Sequence, residues 1–291
     1  MPSAREHREE QLSADSPSPS TPPAKSNLLI TIVPALLVLV TFLFWYQTWF
    51  GRRLTDREIS QYLSDISVPH KTQHALTQLA ERMARGDATA RQWYPQVIRL
   101  AESKEPGFRV MAAWVMGQDR NAPEFHSALL RLLADAQPMV RRNAALALVR
   151  FGDAAGRPEL RAMLRPYSVA APAPGTVTFR AKEGEPLRNG VTLARIQPAA
   201  GESIDVISPV GGTLERRAVP DGARVSAQEA IAVIAPGEDQ AWEALRALYL
   251  VGQPEDLPDI ESPRWNNGKM SDRIHQQAVA TAQAIRARRR P

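Results

Sequence analysis

Apolar and polar positions follow three different patterns along this chain. From Leu28 to Trp45 there is no polar beat at all: LLITIVPALLVLVTFLFW is eighteen residues without a charge. From about residue 55 to 165, and again from 238 to 289, apolar positions recur every three or four residues, which predicts amphipathic helices. Between them, residues 168–236 lose that spacing and fill with Gly, Pro and Val in short runs, which predicts strands and turns. Residues 1–26 contain SADSPSPSTPPAKS and have almost nothing apolar to bury. Ordering them would cost entropy without compensation, so a disordered tail is expected.

Extended through Phe50, the apolar run is long enough to cross a hydrocarbon core of roughly 30 Å at about 1.5 Å per residue. Trp45, Tyr46 and Trp49 stand where an aromatic belt belongs, followed by Arg52 and Arg53. Pro34 is tolerated in membrane helices when neighbouring groups satisfy the freed carbonyl. A signal peptide would end in small residues rather than bulky aromatics, and a buried core helix would need more lipophilic cover than the chain offers. The expectation is a single-pass anchor, residues 27–50, that contacts the lipid bilayer through Leu28–Phe50. Lys25 precedes it closely, whereas Arg52, Arg53 and Arg57 follow, so charge leans the C-terminal part toward the cytoplasm.

The helical stretches repeat. Phe108-Arg109-x-x-Ala112-Ala113-x-Val115-Met116-Gly117-Gln118 is matched by Val140-Arg141-x-x-Ala144-Ala145-x-Ala147-Leu148 running on to Gly152-Asp153. A third copy is Trp242-x-Ala244-Leu245-x-Ala247-Leu248, running on to Gly252-Gln253. Gly117 and Gly152 are 35 residues apart, a solenoid-repeat spacing. The small residues allow close helix approach, and a Gly after each helix suits a C-cap. Looser copies stand at Thr72–Leu79 and Ile274–Val279.

This VRxxAAxAL core with a trailing Gly-Asp or Gly-Gln resembles the HEAT and HEAT-like repeat family, over residues 55–165 and 238–289. The resemblance implies stacked antiparallel helix pairs and a protein-binding scaffold. An irregular all-helical domain is the plainer alternative.

Residues 168–236 contain a duplication of their own. Val169-Ala170-Ala171-Pro172-Ala173-Pro174-Gly175-Thr176-Val177, then Gly184, Leu187 and Leu193–Ile196, is echoed 37 to 38 residues later. The echo is Val206-Ile207-Ser208-Pro209-Val210-Gly211-Gly212-Thr213-Leu214, then Gly222, Val225 and Ile231–Ile234. This pattern resembles the biotinyl/lipoyl-type barrel-sandwich hybrid, also found in the membrane-fusion adaptors of bacterial secretion and efflux systems. Carrier members of that family hold a lysine on the hairpin linking the halves. Here the link is Gln197-Pro198-Ala199-Ala200-Gly201-Glu202-Ser203-Ile204, with no lysine around Gly201 and Glu202. Lys182, the module's only lysine, lies elsewhere, so no cofactor is expected.

Composition narrows the chemistry further. The absence of cysteine excludes disulfides and thiolate metal sites. The net charge of +5 is mild and partly due to Arg286, Arg288, Arg289 and Arg290, read as a solvated end, so no nucleic-acid partner is expected. His70 and His74 share a helix face at i, i+4, but no acidic residue of the HExxH type lies between them and no third ligand is obvious. His126 stands alone in a predicted helix. Glu255, Asp256, Asp259 and Glu261 start a helix among prolines, which favours capping over a cation site. Gly211-Gly212 lacks the Lys-Ser/Thr of a phosphate loop. No catalytic or metal residue is nominated, and no small-molecule substrate is evident.

The expected fold is mainly α: a single N-terminal transmembrane helix, then a HEAT-like α-solenoid with an inserted all-β barrel-sandwich hybrid. The expected function is a non-enzymatic, membrane-anchored scaffold in a bacterial inner membrane, binding other proteins near the bilayer. The alternative is an accessory or adaptor subunit of a transport or secretion assembly, with its soluble part in the periplasm.

Overall fold

A computed structural model describes residues 28–49, 52–266 and 270–288, the side chains of 28–31, 44–49 and Asn266 excepted. The tail 1–26, the belt side chains Trp45, Tyr46 and Trp49, and Phe50, Arg289 and Arg290 lie outside the described residues or side chains. The chain divides into two units, one ending at Arg53 and one starting at Leu54.

The first unit contains helix α1 (Leu28–Trp49), with Pro34 inside it. Among the described residues, no helix is long and apolar enough to cross a membrane. This overturns the single-pass anchor at Leu28–Phe50 and the inner-membrane location that rested on it.

The second unit is mostly helical. Helices α2 (Asp56–Ser64), α3 (Pro69–Ala84), α4 (Tyr94–Leu100), α5 (Pro106–Met116), α6 (Pro123–Leu132), α7 (Pro138–Arg150) and α8 (Arg157–Met163) precede the strands. Helices α9 (Glu238–Val251), α10 (Leu257–Ile260) and α11 (Asp272–Arg288) follow them. Many of the chain's prolines find their reason here. Pro69, Pro95, Pro106, Pro123, Pro138 and Pro158 each occupy the first turn of a helix, where a missing N–H costs nothing. Helix α2 starts on a capping box, with Thr55 accepting from the Glu58 amide and Glu58 from the Thr55 amide.

The helices pair as α2/α3, α4/α5, α6/α7, α8/α9 and α10/α11, and the second members are neighbours in turn, α3 to α5 to α7 to α9 to α11. Close approach explains the small residues. A Cβ on Gly117 would meet the Ala147 Cβ at 2.9 Å, and one on Gly156 would meet the Ala145 Cα at 2.7 Å. The repeated arginine has one job in two copies. Arg109 donates to the carbonyls of Ser103 and Lys104, and Arg141 to those of Asp135 and Ala136. Each also reaches an acid further along: Arg109 the Asp135 carboxylate at 2.6 Å, Arg141 that of Glu159 at 2.8 Å.

Between α8 and α9 run eight strands: β1 (Tyr167–Ala170), β2 (Gly175–Phe179), β3 (Pro186–Leu187), β4 (Thr192–Gln197), β5 (Ile204–Ile207), β6 (Gly212–Arg217), β7 (Arg224–Val225) and β8 (Ala230–Ala235). They form two antiparallel sheets of four, ordered β1-β8-β6-β3 and β5-β4-β2-β7. A shift of 37 or 38 residues carries β1–β4 onto β5–β8 and one sheet order onto the other, which is the duplication read in the sequence. Val177, Leu193 and Ile196 of one sheet and Leu214, Ile231 and Ile234 of the other share one buried core. The expected barrel is corrected, because no closed barrel forms. Each sheet ends in free edges, and edge strands β3 and β7 are two residues long. Pro186 opens β3 without an N–H to give to a further strand.

Candidate binding cleft

A cavity of about 1010 Å³ lies between the helices and one end of the β module. Its helical wall carries Trp114 of α5, Met139 and Leu146 of α7, and Leu250 of α9; its other wall includes Pro186 and Leu187 of β3. Trp114 is 39 % exposed and Leu250 62 %, so two large apolar side chains face solvent here. Both fall on helix faces turned away from the core. The Ala112-Ala113 pair and Val115 are fully buried while Trp114 between them points out.

Charge is mixed in this cleft. Arg142 of α7 is only 3 % exposed. Its Nη1 donates to Gln240 Oε1 at 2.8 Å, and its Nε lies 3.6 Å from Glu159 Oε1 with no hydrogen-bond partner. Burial pushes the Arg142 guanidinium down, against the pull of Glu159. Gln240 in turn donates to the Met163 carbonyl at 2.6 Å, so one amide ties α7, the end of α8 and the start of α9. Along α9, Asp239 and Glu243 stand four residues apart on the cleft. Desolvation by the surrounding cleft wall, then the neighbouring Asp239 charge, raises the carboxyl of the exposed Glu243. Arg150, Arg188 and Arg246 add positive charge around the opening.

The residues weighed in the sequence fall elsewhere. His74 Nε2 sits 2.8 Å from the Gln78 amide nitrogen, and among the described residues no group of three or more His, Asp and Glu could hold a metal. His126 is not alone: its Nε2 is 2.6 Å from Asp153 Oδ2. The equivalent place one repeat earlier holds Tyr94, whose hydroxyl donates to Asp119 at 2.6 Å. The acidic run 255–261 caps in part, since Asp256 accepts from the Gln253 amide. Its larger role is to receive arginines: Asp256 takes Arg157, Asp259 takes Arg161 and Arg165, and Glu261 takes Arg286. Gly201 and Glu202 lie at the exposed β4–β5 hairpin, where Gly201 has φ +98° and the Gln197 amide closes the turn on its carbonyl. Gly212 lies against β8 and, with Gly211, borders the cleft. The cleft residues themselves were missed. Trp114 was a blank position in the repeat pattern, and nothing in a sequence marks Arg142 as buried beside an exposed Arg150.

A model of HEAT repeats matches residues 94–171. The match starts at α4, takes in α5 to α8 and runs through β1. It agrees with the paired helices and with the Arg109/Arg141 repeat described above. HEAT repeats suggest a protein-binding scaffold, and that family is typically non-enzymatic. A search of the curated proteins found none that matches the chain.

Proposed function

We propose that this chain is a non-enzymatic scaffold that holds a segment of another protein in the cleft between its HEAT-like array and its β module. The domain reading that goes with it assigns residues 55–165 and 238–289 to the array and 168–236 to an inserted module. The module resembles the biotinyl/lipoyl type in its duplicated halves, without a lysine on the hairpin around Gly201 and Glu202. One observation carries the proposal: Trp114 and Leu250 hold large apolar surfaces toward solvent inside a cleft, bordered by charges of both signs. Aromatic anchors flanked by polar groups are what protein interfaces concentrate.

The test is photo-crosslinking in cells, with a benzophenone amino acid at Leu250 and, as control, at exposed Glu124 on α6. Protein adducts specific to position 250 and lost on adding Trp114→Ala are expected. Equal adduct patterns at the two positions, or patterns indifferent to Trp114→Ala, would remove the cleft from the reading.

A further inference from the structure

We propose that the β module is a hinged jaw, swinging as a body about its two chain connections, Arg165–Pro166 and Pro236–Gly237, so that the cleft widens and narrows. The proposal concerns motion within this chain and does not depend on what the cleft holds.

Four observations converge on it. First, the module has a core of its own. The apolar cluster of the strands runs from Val169 to Ile234 and shares no residue with the two helical clusters. Moving the module therefore opens no common core, which would be the main cost of a domain motion.

Second, both connections leave the same end of the same sheet. Tyr167 of β1 faces Ile234 of β8 across the ladder, so the two exits are side by side. Each exit then meets a proline, Pro166 or Pro236, which has no N–H to extend the ladder toward the helices. Sheet order thus ends at the same level on both connections, and Gly237 follows one of them.

Third, the base of the hinge is fastened on the helical side. Gln240 holds α9 to Met163 and Arg142, and Arg165 is held by Asp259 at 2.6 Å and 2.8 Å. Rotation is thereby confined to the short stretches between these anchors and the first strand pairs.

Fourth, the module is held lightly to the helices beside its exits, where β6 runs next to Ile234 of β8. Among the described residues, the only hydrogen-bonded ion pair between a strand and the helical part is Glu215 of β6 with Arg264, at 3.2 Å. Both side chains are partly exposed, at 38 % and 25 %, so the pair is screened and weak. It is a latch that thermal motion and salt can release.

The chain has no cysteine, so paired spin labels can be placed without background. Labels at Ala200→Cys on the module and Glu124→Cys on α6 report the jaw by pulsed dipolar spectroscopy. A second pair, Glu124→Cys with Gln283→Cys, reports the helical array alone. The module pair is expected to give two resolved separations, or one broad distribution. Glu215→Ala or high salt should raise the ratio of the open to the closed population about two- to fivefold. The array pair should stay single and narrow throughout. A single narrow module distance unchanged by Glu215→Ala and salt would overturn the hinge. So would an array pair that broadens as much as the module pair, because the motion would then lie in the helices.

Discussion

Arg157, in the first turn of α8, donates from Nε to Asp256 Oδ2 at 2.8 Å and from Nη2 to Oδ1 at 3.0 Å. The partners are 99 residues apart in the chain, and the whole β module lies between them. Arg161 and Arg165 repeat the contact on Asp259 at 2.7 Å and 2.6 Å, so three arginines one turn apart read two acids. This clasp rejoins the helical array after the insertion. A flexible insert of about 70 residues in place of about 5 would add roughly 2 kcal/mol of closure entropy. The folded module avoids most of that, because pairing of Tyr167 with Ile234 brings its ends together.

The clasp predicts unequal costs. Asp256 is fully buried, so Arg157→Ala leaves a carboxylate in the interior with only the Gln253 amide and the more distant Arg161. A loss of about 2–3 kcal/mol is expected. Arg165 is half-exposed, and Arg165→Ala should cost under about 1 kcal/mol. Urea denaturation of the two variants gives the comparison, and equal losses would deny the clasp its buried centre.

Acid should release the inter-repeat contacts in a defined window. The Arg109 guanidinium holds the Asp135 carboxyl below its ordinary 3.8. At Asp259, burial works upward but hydrogen bonds from Arg165 and Arg161 prevail, and it too is lowered. A depressed folded pKa gives stability that is complete above the unfolded value and lost as pH falls through the folded one. The urea midpoint should therefore be level at pH above the ordinary carboxylate range and drop as pH falls through about 4 and below. Asp135→Asn should lower the plateau and flatten the drop; a drop of unchanged steepness would count against Asp135.

Helix periodicity and the two duplications were legible because each is written in many residues at once. The Arg109/Arg141 repeat and the 37-residue shift from Gly175 to Gly212 survive substitution at other positions. The apolar run at Leu28 was read from its length, its lack of charge and its flanking aromatics, and among the described residues no helix is long and apolar enough to cross a membrane. The barrel was inferred from the resemblance of the duplicated halves to the biotinyl/lipoyl type, whereas closure depends on edge pairing, which Pro186 and two-residue strands deny. Asp256 and Asp259 looked like helix caps because their arginine partners stand nearly a hundred residues earlier. Local pattern cannot show a partner at that separation.

The adjacent glycines at the start of β6 make a paired test of close backbone approach. A Cβ on Gly212 would come within 2.1 Å of the Ala235 carbonyl oxygen, and its φ of +153° disfavours any side chain. Its neighbour Gly211 has only the Leu187 carbonyl at 3.6 Å. Gly212→Ala should cost at least about 2 kcal/mol and Gly211→Ala under about 1 kcal/mol. Thermal unfolding of both proteins decides it, and a benign Gly212→Ala would mean that β6 can shift away from β8.

The hairpin without lysine makes a chemical prediction. An amide to biotin or lipoate needs an exposed amine, and the only one in the module belongs to Lys182, between β2 and β3. After co-expression with biotin and lipoate ligases, the intact mass should equal that of the unmodified chain. An adduct mapped to Lys182 would show that the module is a carrier with a displaced acceptor, and the scaffold reading would have to be withdrawn.

The cleft contains one polar side chain that the fold needs and one that it can spare. Gln240 supplies the acceptor for the buried Arg142 Nη1 and the donor for the Met163 carbonyl. Gln240→Ala strips both, leaving Arg142 with Glu159 at 3.6 Å as its remaining partner, and a loss of about 2–3 kcal/mol is expected. Glu243, one turn along α9, is in the opposite position. Its carboxyl, although exposed, is raised by desolvation at the cleft wall and by Asp239, so its charged form is the disfavoured one. A raised carboxyl pKa means that folding takes up protons, and the charge becomes a burden as pH rises through the unfolded value. Glu243→Gln should therefore leave stability at pH 7 unchanged or slightly higher, while altering the charge that a bound segment meets. Parallel urea curves for the two variants check this. A destabilised Glu243→Gln would mean that the carboxylate supports the fold, and its place in the binding surface would need another account.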